Sequence, residues 1–541
     1  MRVMSLLSVL LASGAVGLAQ TNALDYTMPG YGAAGTNATA AAPTTAPPRA
    51  VRELSLQDCI QLALQHNLDL QIERTRPQVA RYTVRGDYGI YDPVLTLAGQ
   101  HDHDETGATL FQNTPIPGAK TDDNSFSGDL SGFLPWGMNY GLSTVGPIID
   151  KYGNRFSAGT ITNGIGTNAI ASTNAVANRF ENSSGSVEVH VSQHLLKDFW
   201  IDSGRLAIRV DKNRLRYSEL GLKWQVIQTI TKLELAYFDL IFDRENVVVQ
   251  QKAVELAERL VAQNKKKLEV GALAPLDLES AESQAAQNRA AVIKAQSQLA
   301  TQERVVKQLI TDQFAAWADL ELKPSGKLSD AHQAFDRQTC WSKGLSRRPD
   351  LLQARLDVEK QGIQLKFDRN QLLPQLDILG TYGYNGSGKE FSDALYDIQQ
   401  QNQPFYSFGG QLVVPLANVR ARNSLKSDKV TLQQLLLTLK QSEQTIMISI
   451  DNDIGTIQAN YEQVLATRAA RQYAESALNA EEMKLQNGKS TVYTVLQMQR
   501  DLTTARGAEI QALDTYNQSL STLSQDDGST LERLGIEWQA K

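Results

Sequence analysis

The sequence predicts a mainly α fold with a membrane β-barrel portion, in which long coiled-coil helices and four short strands (six if one further pair joins them) form a duplicated plan. The first supporting observation is the duplication. A shift of 281 residues places Cys59 on Cys340, Leu64 on Leu345, Asp69 on Asp350, Leu70 on Leu351, Pro93 on Pro374, Leu95 on Leu376 and Gly99 on Gly380 without a gap. A second shift, of 217, places Leu240 on Ile457, Val247 on Val464, Leu268 on Leu485 and Gly271 on Gly488. The second observation is a heptad grid. Val226, Leu233, Leu240, Val247, Val254, Val261 and Leu268 are seven residues apart, as are Ile450, Ile457, Val464, Leu478 and Leu485 once Arg471 is allowed as an exception. A sustained repeat of seven means left-handed coiled-coil packing. The third is alternation of apolar and polar residues in short segments, which a membrane barrel wall requires and a soluble antiparallel sheet also shows.

The elements follow in chain order. Met1 to Ala19 has one positive charge, a short apolar stretch and a small-x-small site, so residues 1–19 read as a secretory signal peptide. Residues 20–50, rich in Thr, Asn, Ala and Pro, read as a flexible leader. The first copy, 51–313, opens with a helix over 54–90 in which Pro77 predicts a kink. Strands are expected near 93–104 and 186–195, where Leu95 and Leu97 oppose Thr96 and Ala98, and Val187, Val189 and Val191 oppose Glu188 and His190. Between them lies an insertion of about 64 residues, the difference between the two shifts. It carries a further alternating pair near 125–145 around Pro135-Trp136-Gly137, which either extends the wall or forms an external hairpin. Gly and Asn between 153 and 185 predict an exposed loop. Helices over 197–268 and 277–313 complete the copy, and 314–340 is an equatorial linker. The second copy, 341–522, repeats the order: helix 341–373, strands near 374–385 and 405–415, and helices 417–486 and 493–522. Residues 523–541 form a C-terminal equatorial segment.

Composition narrows the function. Lys plus Arg total 53 against 59 Asp plus Glu, a formal charge of −6, so no basic excess drives binding to nucleic acid. Two cysteines exclude a disulfide framework and a four-cysteine zinc site. His101 and His103 share a strand face, as do His190 and His194, and they read as polar lumen or rim residues. Ser/His/Asp order, a phosphate-cradling glycine loop and a paired acid and base are all missing from the sequence, so the chain reads as neither an enzyme nor a cofactor or metal carrier. Past residue 19 no apolar run reaches about 18 residues, so any membrane contact falls to strands. Four or six strands cannot close a barrel, because the smallest bacterial ones have about eight. Several chains must then share one wall.

The sequence resembles the TolC-type outer membrane efflux proteins over nearly its full mature length. The resemblance rests on the paired copies, the opening motif from Leu54 to Leu70, Arg348-Pro-Asp-Leu351, Leu373-Pro-x-Leu376, Val414-Pro-Leu416 and the turn from Val270 to Leu278. It implies a homotrimer with a twelve-stranded outer membrane barrel and a periplasmic helical tunnel tapering to a closable tip. It also implies a passive exit duct for tripartite efflux or type I secretion. The implied partners are outer membrane lipid, a periplasmic adaptor (membrane fusion) protein and an inner-membrane pump of RND or ABC type. The adaptor-facing turns would be Val270, Gly271, Ala272, Leu273, Ala274 and Pro275 in the first copy and Asn487, Gly488, Lys489, Ser490 and Thr491 in the second. The aperture would involve Asp277, Leu485, Ser490, Thr494 and Gln497. In the best-known member two aspartates ring that aperture; here Thr494 and Gln497 stand at those positions, and Leu485 and Ser490 replace a latching tyrosine and arginine. An aperture without the double acidic ring, latched by other contacts, is expected. The rival reading is a periplasmic coiled-coil scaffold without transport.

Overall fold

The computed structural model describes residues 50–111, 114–163, 170–269 and 274–537. The expected signal peptide, the leader up to residue 49 and the last four residues lie outside the described chain.

Strand β1 (Val51–Leu54) leads into helix α1 (Leu56–His66), whose start is fixed by Ser55. The Ser55 hydroxyl accepts from the Asp58 amide at 3.2 Å, and the Asp58 carboxylate accepts from the Ser55 amide at 3.1 Å, a closed capping box. Helix α2 (Leu68–Asp87) follows. The expected single helix over 54–90 is thus two, broken at Asn67, and the second runs on through Pro77. Asn67 causes the break: its side chain accepts from the Leu70 amide at 3.0 Å and donates to the Leu309 carbonyl at 3.0 Å, ending one helix and capping the next.

The strands come next: β2 (Val94–Glu105), β3 (Thr109–Phe111), β4 (Thr114–Ile116), β5 (Lys120–Phe133), β6 (Met138–Thr144), β7 (Ile148–Asn163) and β8 (Ile170–His194). Helix α3 (Ser203–Glu269) has 67 residues, a rod of about 100 Å at 1.5 Å per residue. Helix α4 (Pro275–Ile310) returns along it, followed by α5 (Phe314–Trp317) and by β9 (Glu321–Pro324), which pairs in parallel with β1.

The second copy repeats the broken helix as α6 (Arg337–Arg347) and α7 (Pro349–Asn370), where 341–373 was expected as one. Arg348 precedes a proline, which pushes it out of helical geometry, and Pro349 then starts the next helix without losing a bond. The break falls at the position equivalent to Asn67. Strand β10 (Gln375–Gly388), helix α8 (Phe391–Gln400), strand β11 (Gln403–Val413), and helices α9 (Val419–Gln486), α10 (Val492–Asp526) and α11 (Thr530–Arg533) complete the chain. Helix α10 therefore reaches four residues into the segment 523–541 expected as equatorial.

Each copy has its own core. Cys59, Ile60 and Leu70 pack with Val226, Ile230, Leu233, Tyr237 and Leu240; Cys340 and Leu351 pack with Ile450, Ile457, Val464 and Tyr516. The two cysteines are free and buried in separate clusters. The seven-residue grid is buried through Val247, but towards the turn the seam passes to Ala253, Ala257, Leu260 and Asn264, one step off the grid. The partners change there: the upper grid packs in the core with α1 and α2, whereas Leu260 packs with Leu478 of α9 and Val492 and Val495 of α10. No helix among the described residues is long and apolar enough to cross a membrane.

The main sheet runs in the order β11-β10-β8-β6-β5-β2, with β7 continuing the position of β6 between β5 and β8. The pair expected near 125–145 is thus hydrogen-bonded within the sheet. The expected loop over 153–185 is replaced by paired strand: β7 and β8 run antiparallel from Ile149–Ser184 to Asn163–Ile170. Neither ribbon strand has a continuous apolar face there, so period-two patterning was silent.

Candidate functional site: the helix-hairpin tip

The two long helix hairpins turn at the same end of the molecule. Leu260 from α3, Leu478 from α9, and Val492, Val495, Leu496 and Leu502 from α10 form one buried cluster, with Leu485 packed beside it. Next to this cluster is a cavity of about 120 Å³ lined by Arg259, Lys267, Glu482, Leu485 and Gln499, among others.

Of the first turn, Val270, Gly271, Ala272 and Leu273 lie outside the described residues. Ala274 and Pro275 are exposed, with extended backbone at Ala274 and Pro275 opening α4. Asp277 sits half-buried in the first turn of that helix, where a carboxylate meets the positive end of the helix dipole.

The second turn is fully described. Asn487 ends α9, Gly488 takes φ +72°, the Gly488 amide donates to the Leu485 carbonyl at 3.2 Å, and the Lys489 amide donates to the Lys484 carbonyl at 2.9 Å. This is a Schellman closure, and glycine is the residue that enters the left-handed region at least cost. Thr491 caps α10, its hydroxyl accepting from the Thr494 amide at 3.3 Å, and the hydroxyls of Thr491 and Thr494 lie 2.9 Å apart. Gln497 donates to the Asp501 carboxylate at 3.0 Å, one turn further along the helix.

Three features of the tip were not singled out in the sequence. Glu481 accepts from the Ser490 hydroxyl and, at 2.9 Å, from Lys484, and these two donors hold its carboxyl below the ordinary glutamate value. Arg500 bonds Gln284, tying α10 of one copy to α4 of the other. Asn264 is fully buried and, among the described residues, neither of its side-chain polar atoms has a partner, nor does the Gln499 carbonyl oxygen. The Glu481–Lys484 spacing was visible as an i, i+3 charge pair. No local pattern marks the other two. Leu276 and Tyr493, apolar yet largely exposed, flank the two turns.

Further up, Asp514 on α10 faces Asp239 and Asp243 on α3. The Gln518 amide donates to Asp514 at 2.9 Å and to Asp239 at 2.8 Å. Burial, then the neighbouring Asp239, pushes the Asp514 carboxyl up to about 7.

The histidines do not converge. β5 and β6 separate β2 from β8, His101 pairs with Asn124 at 2.8 Å, His103 with Asp122 at 2.6 Å, and His194 with Asp377 at 2.6 Å. Among the described residues no group of three His, Cys, Asp or Glu side chains is placed to hold a metal.

Comparison with known proteins gives a consistent result. Residues 341–529 match the family model for outer membrane efflux proteins. The chain is 23% identical over 357 residues to the pyoverdine export outer membrane protein OpmQ of Pseudomonas aeruginosa, covering 64% of this chain and 69% of that one. It is 23% identical over 363 residues to the outer membrane protein TolC of Vibrio cholerae, covering 63% and 78%. The crystal structure of the outer membrane protein VceC from Vibrio cholerae superposes with a TM-score of 0.60 at 17% identity, over 87% of this chain and 96% of the other.

Proposed function

Because residues 341–529 match the outer membrane efflux protein family, we propose that the chain is a member of it and that three copies assemble into a passive exit duct of a tripartite efflux or type I secretion system. The strands sit in the outer membrane and the helices extend into the periplasm. The observation that carries this reading is the open sheet. Among the described residues its edge strands β2 and β11 have no outer neighbour, and Leu95, Leu97, Tyr406, Phe408 and Leu412 on them are exposed. Unpaired edges are not viable in lipid, so further copies must supply the missing partners.

The duct holds no energy source; an inner-membrane pump of RND or ABC type drives transport and a periplasmic adaptor docks on the tip. Ala274, Pro275, Leu276 and the turn from Asn487 to Thr491 present small or exposed groups to that adaptor. Arg500–Gln284 and Ser490–Glu481 stand in for the latch that Leu485 and Ser490 cannot form in the family manner.

Detergent-extracted protein should run as an SDS-resistant trimer without heating and conduct ions in planar bilayers. A chain that dissolves without detergent and never conducts would be the periplasmic scaffold instead.

A further inference from the structure

We infer that β5 and β6 belong to the lipid-facing wall, so that three copies close a barrel of eighteen strands with a wide mouth. This rests on the trimeric duct proposed above and specifies its bore.

Placement comes first. β5 pairs with β2 over its whole length, from Val94–Ser131 to Glu105–Lys120, and β6 pairs with β5 on one side and β8 on the other. The added strands are intercalated between the first copy's two expected wall strands. They are neither appended at an edge nor folded over a face. Directions alternate at every step of the six positions, so β11 of one copy meets β2 of the next antiparallel, as an even-stranded barrel requires.

Register supplies the second argument. One cross-strand row reads Leu95, Leu130, Leu142, Val189, Tyr382, Tyr406 through all six positions. Each of these side chains lies on the same face and is 37–74% exposed. The next position along each inserted strand is polar or glycine: Asp129 and Ser131 on β5, Gly141 and Ser143 on β6, continued by Glu188 and His190 on β8. A hairpin outside the membrane would have no reason to carry this alternation in step with its neighbours. The inserted turn is also short and lies at the helical end of the sheet: the Gly137 amide donates to the Leu134 carbonyl at 2.9 Å, with Gly137 at φ +87° close to Arg205. Trp136, more than half exposed, marks that end, where barrels carry an aromatic girdle.

Circumference gives the third argument. Helices α2, α3, α7 and α9 pack as four columns per chain. Twelve columns at about 9 Å make a ring of about 110 Å, against about 113 Å for eighteen strands at ~4.8 Å tilted by about 40°, and about 75 Å for twelve strands. The backbone diameter of the barrel is then about 36 Å rather than 24 Å, leaving a mouth of roughly 25 Å once about 5 Å of side chain is allowed on each wall.

The test uses the full chain in phosphatidylcholine bilayers, with a spin label on single cysteines at Leu95, Leu130, Leu142, Val189, Ser131 and Ser143. The buried native Cys59 and Cys340 stay unlabelled. Labels at Leu130 and Leu142 should match those at Leu95 and Val189, favouring collision with lipid-dissolved oxygen over an aqueous nickel chelate at least threefold. Ser131 and Ser143 should show the reverse. Cryo-electron microscopy of the unmodified protein should count eighteen strands around a three-fold axis. Nickel-accessible Leu130 and Leu142 with twelve strands in the wall would overturn the inference and leave the trimeric duct standing. A wall of six strands per chain around another symmetry would contradict the trimer and with it the count of eighteen.

Discussion

Glu234 is wholly buried in α3, and Arg533 of α11 reaches both its carboxylate oxygens at 2.6 Å. Removing the arginine leaves a buried carboxylate uncompensated, so Arg533→Met should cost about 3 kcal/mol, and adding Glu234→Gln should recover most of it; thermal unfolding of the detergent-solubilised protein reads both. Asp514 behaves in the opposite sense. Its carboxyl is raised from 3.8 to about 7, so the fold favours the protonated form, and its contribution is full below about pH 4 and lost progressively as pH rises from there to about 7. Asp514→Asn keeps the acceptor for Gln518 and should stabilise the protein on the order of 1 kcal/mol at pH 8, by less at pH 5 and not at all at pH 3. Neither residue stood out in the sequence. A carboxylate on a helix reads as a solvated position until the packing of another helix against it is known, whereas Cys59 and Cys340 were legible because duplication set them in equivalent places.

The tip hairpins and the wall strands are the elements on which function depends. Thr494 and Gln497 lie on successive turns of α10 where an acidic ring would confer cation preference, so Thr494→Asp with Gln497→Asp should raise cation over anion permeability several-fold in reversal-potential measurements. Asn264 carries two unmet polar groups into the tip core. Asn264→Leu should stabilise the closed tip by about 1–3 kcal/mol and lower the frequency of spontaneous openings in bilayer recordings. Element existence was readable from period: β2 spans Val94–Glu105 where 93–104 was expected, and α9 spans Val419–Gln486 where 417–486 was expected. Breaks were less readable. Pro77 advertised a kink, but Asn67 made the break through a carbonyl 242 positions away in sequence, a partner no local pattern contains. The β7–β8 ribbon was hidden because its backbone pairing needs no apolar face.

At the level of the whole molecule, the duplicated plan was legible because identities persisted at constant offsets. The place of the inserted strands was not. Alternation assigns faces, while the neighbour of a strand is decided by topology, and only the ladder of β5 and β6 between β2 and β8 settles it. Among the described residues the chain is an unfinished object: two sheet edges without a partner, a row of exposed apolar side chains on one face of the sheet, and hairpins converging at the far end. Its central claim is that identical copies complete it. Native mass spectrometry of the protein released from detergent micelles tests this most directly. The account predicts one dominant species of three chains, stable to dilution; a single chain that remains dispersed after the detergent is gone would contradict it.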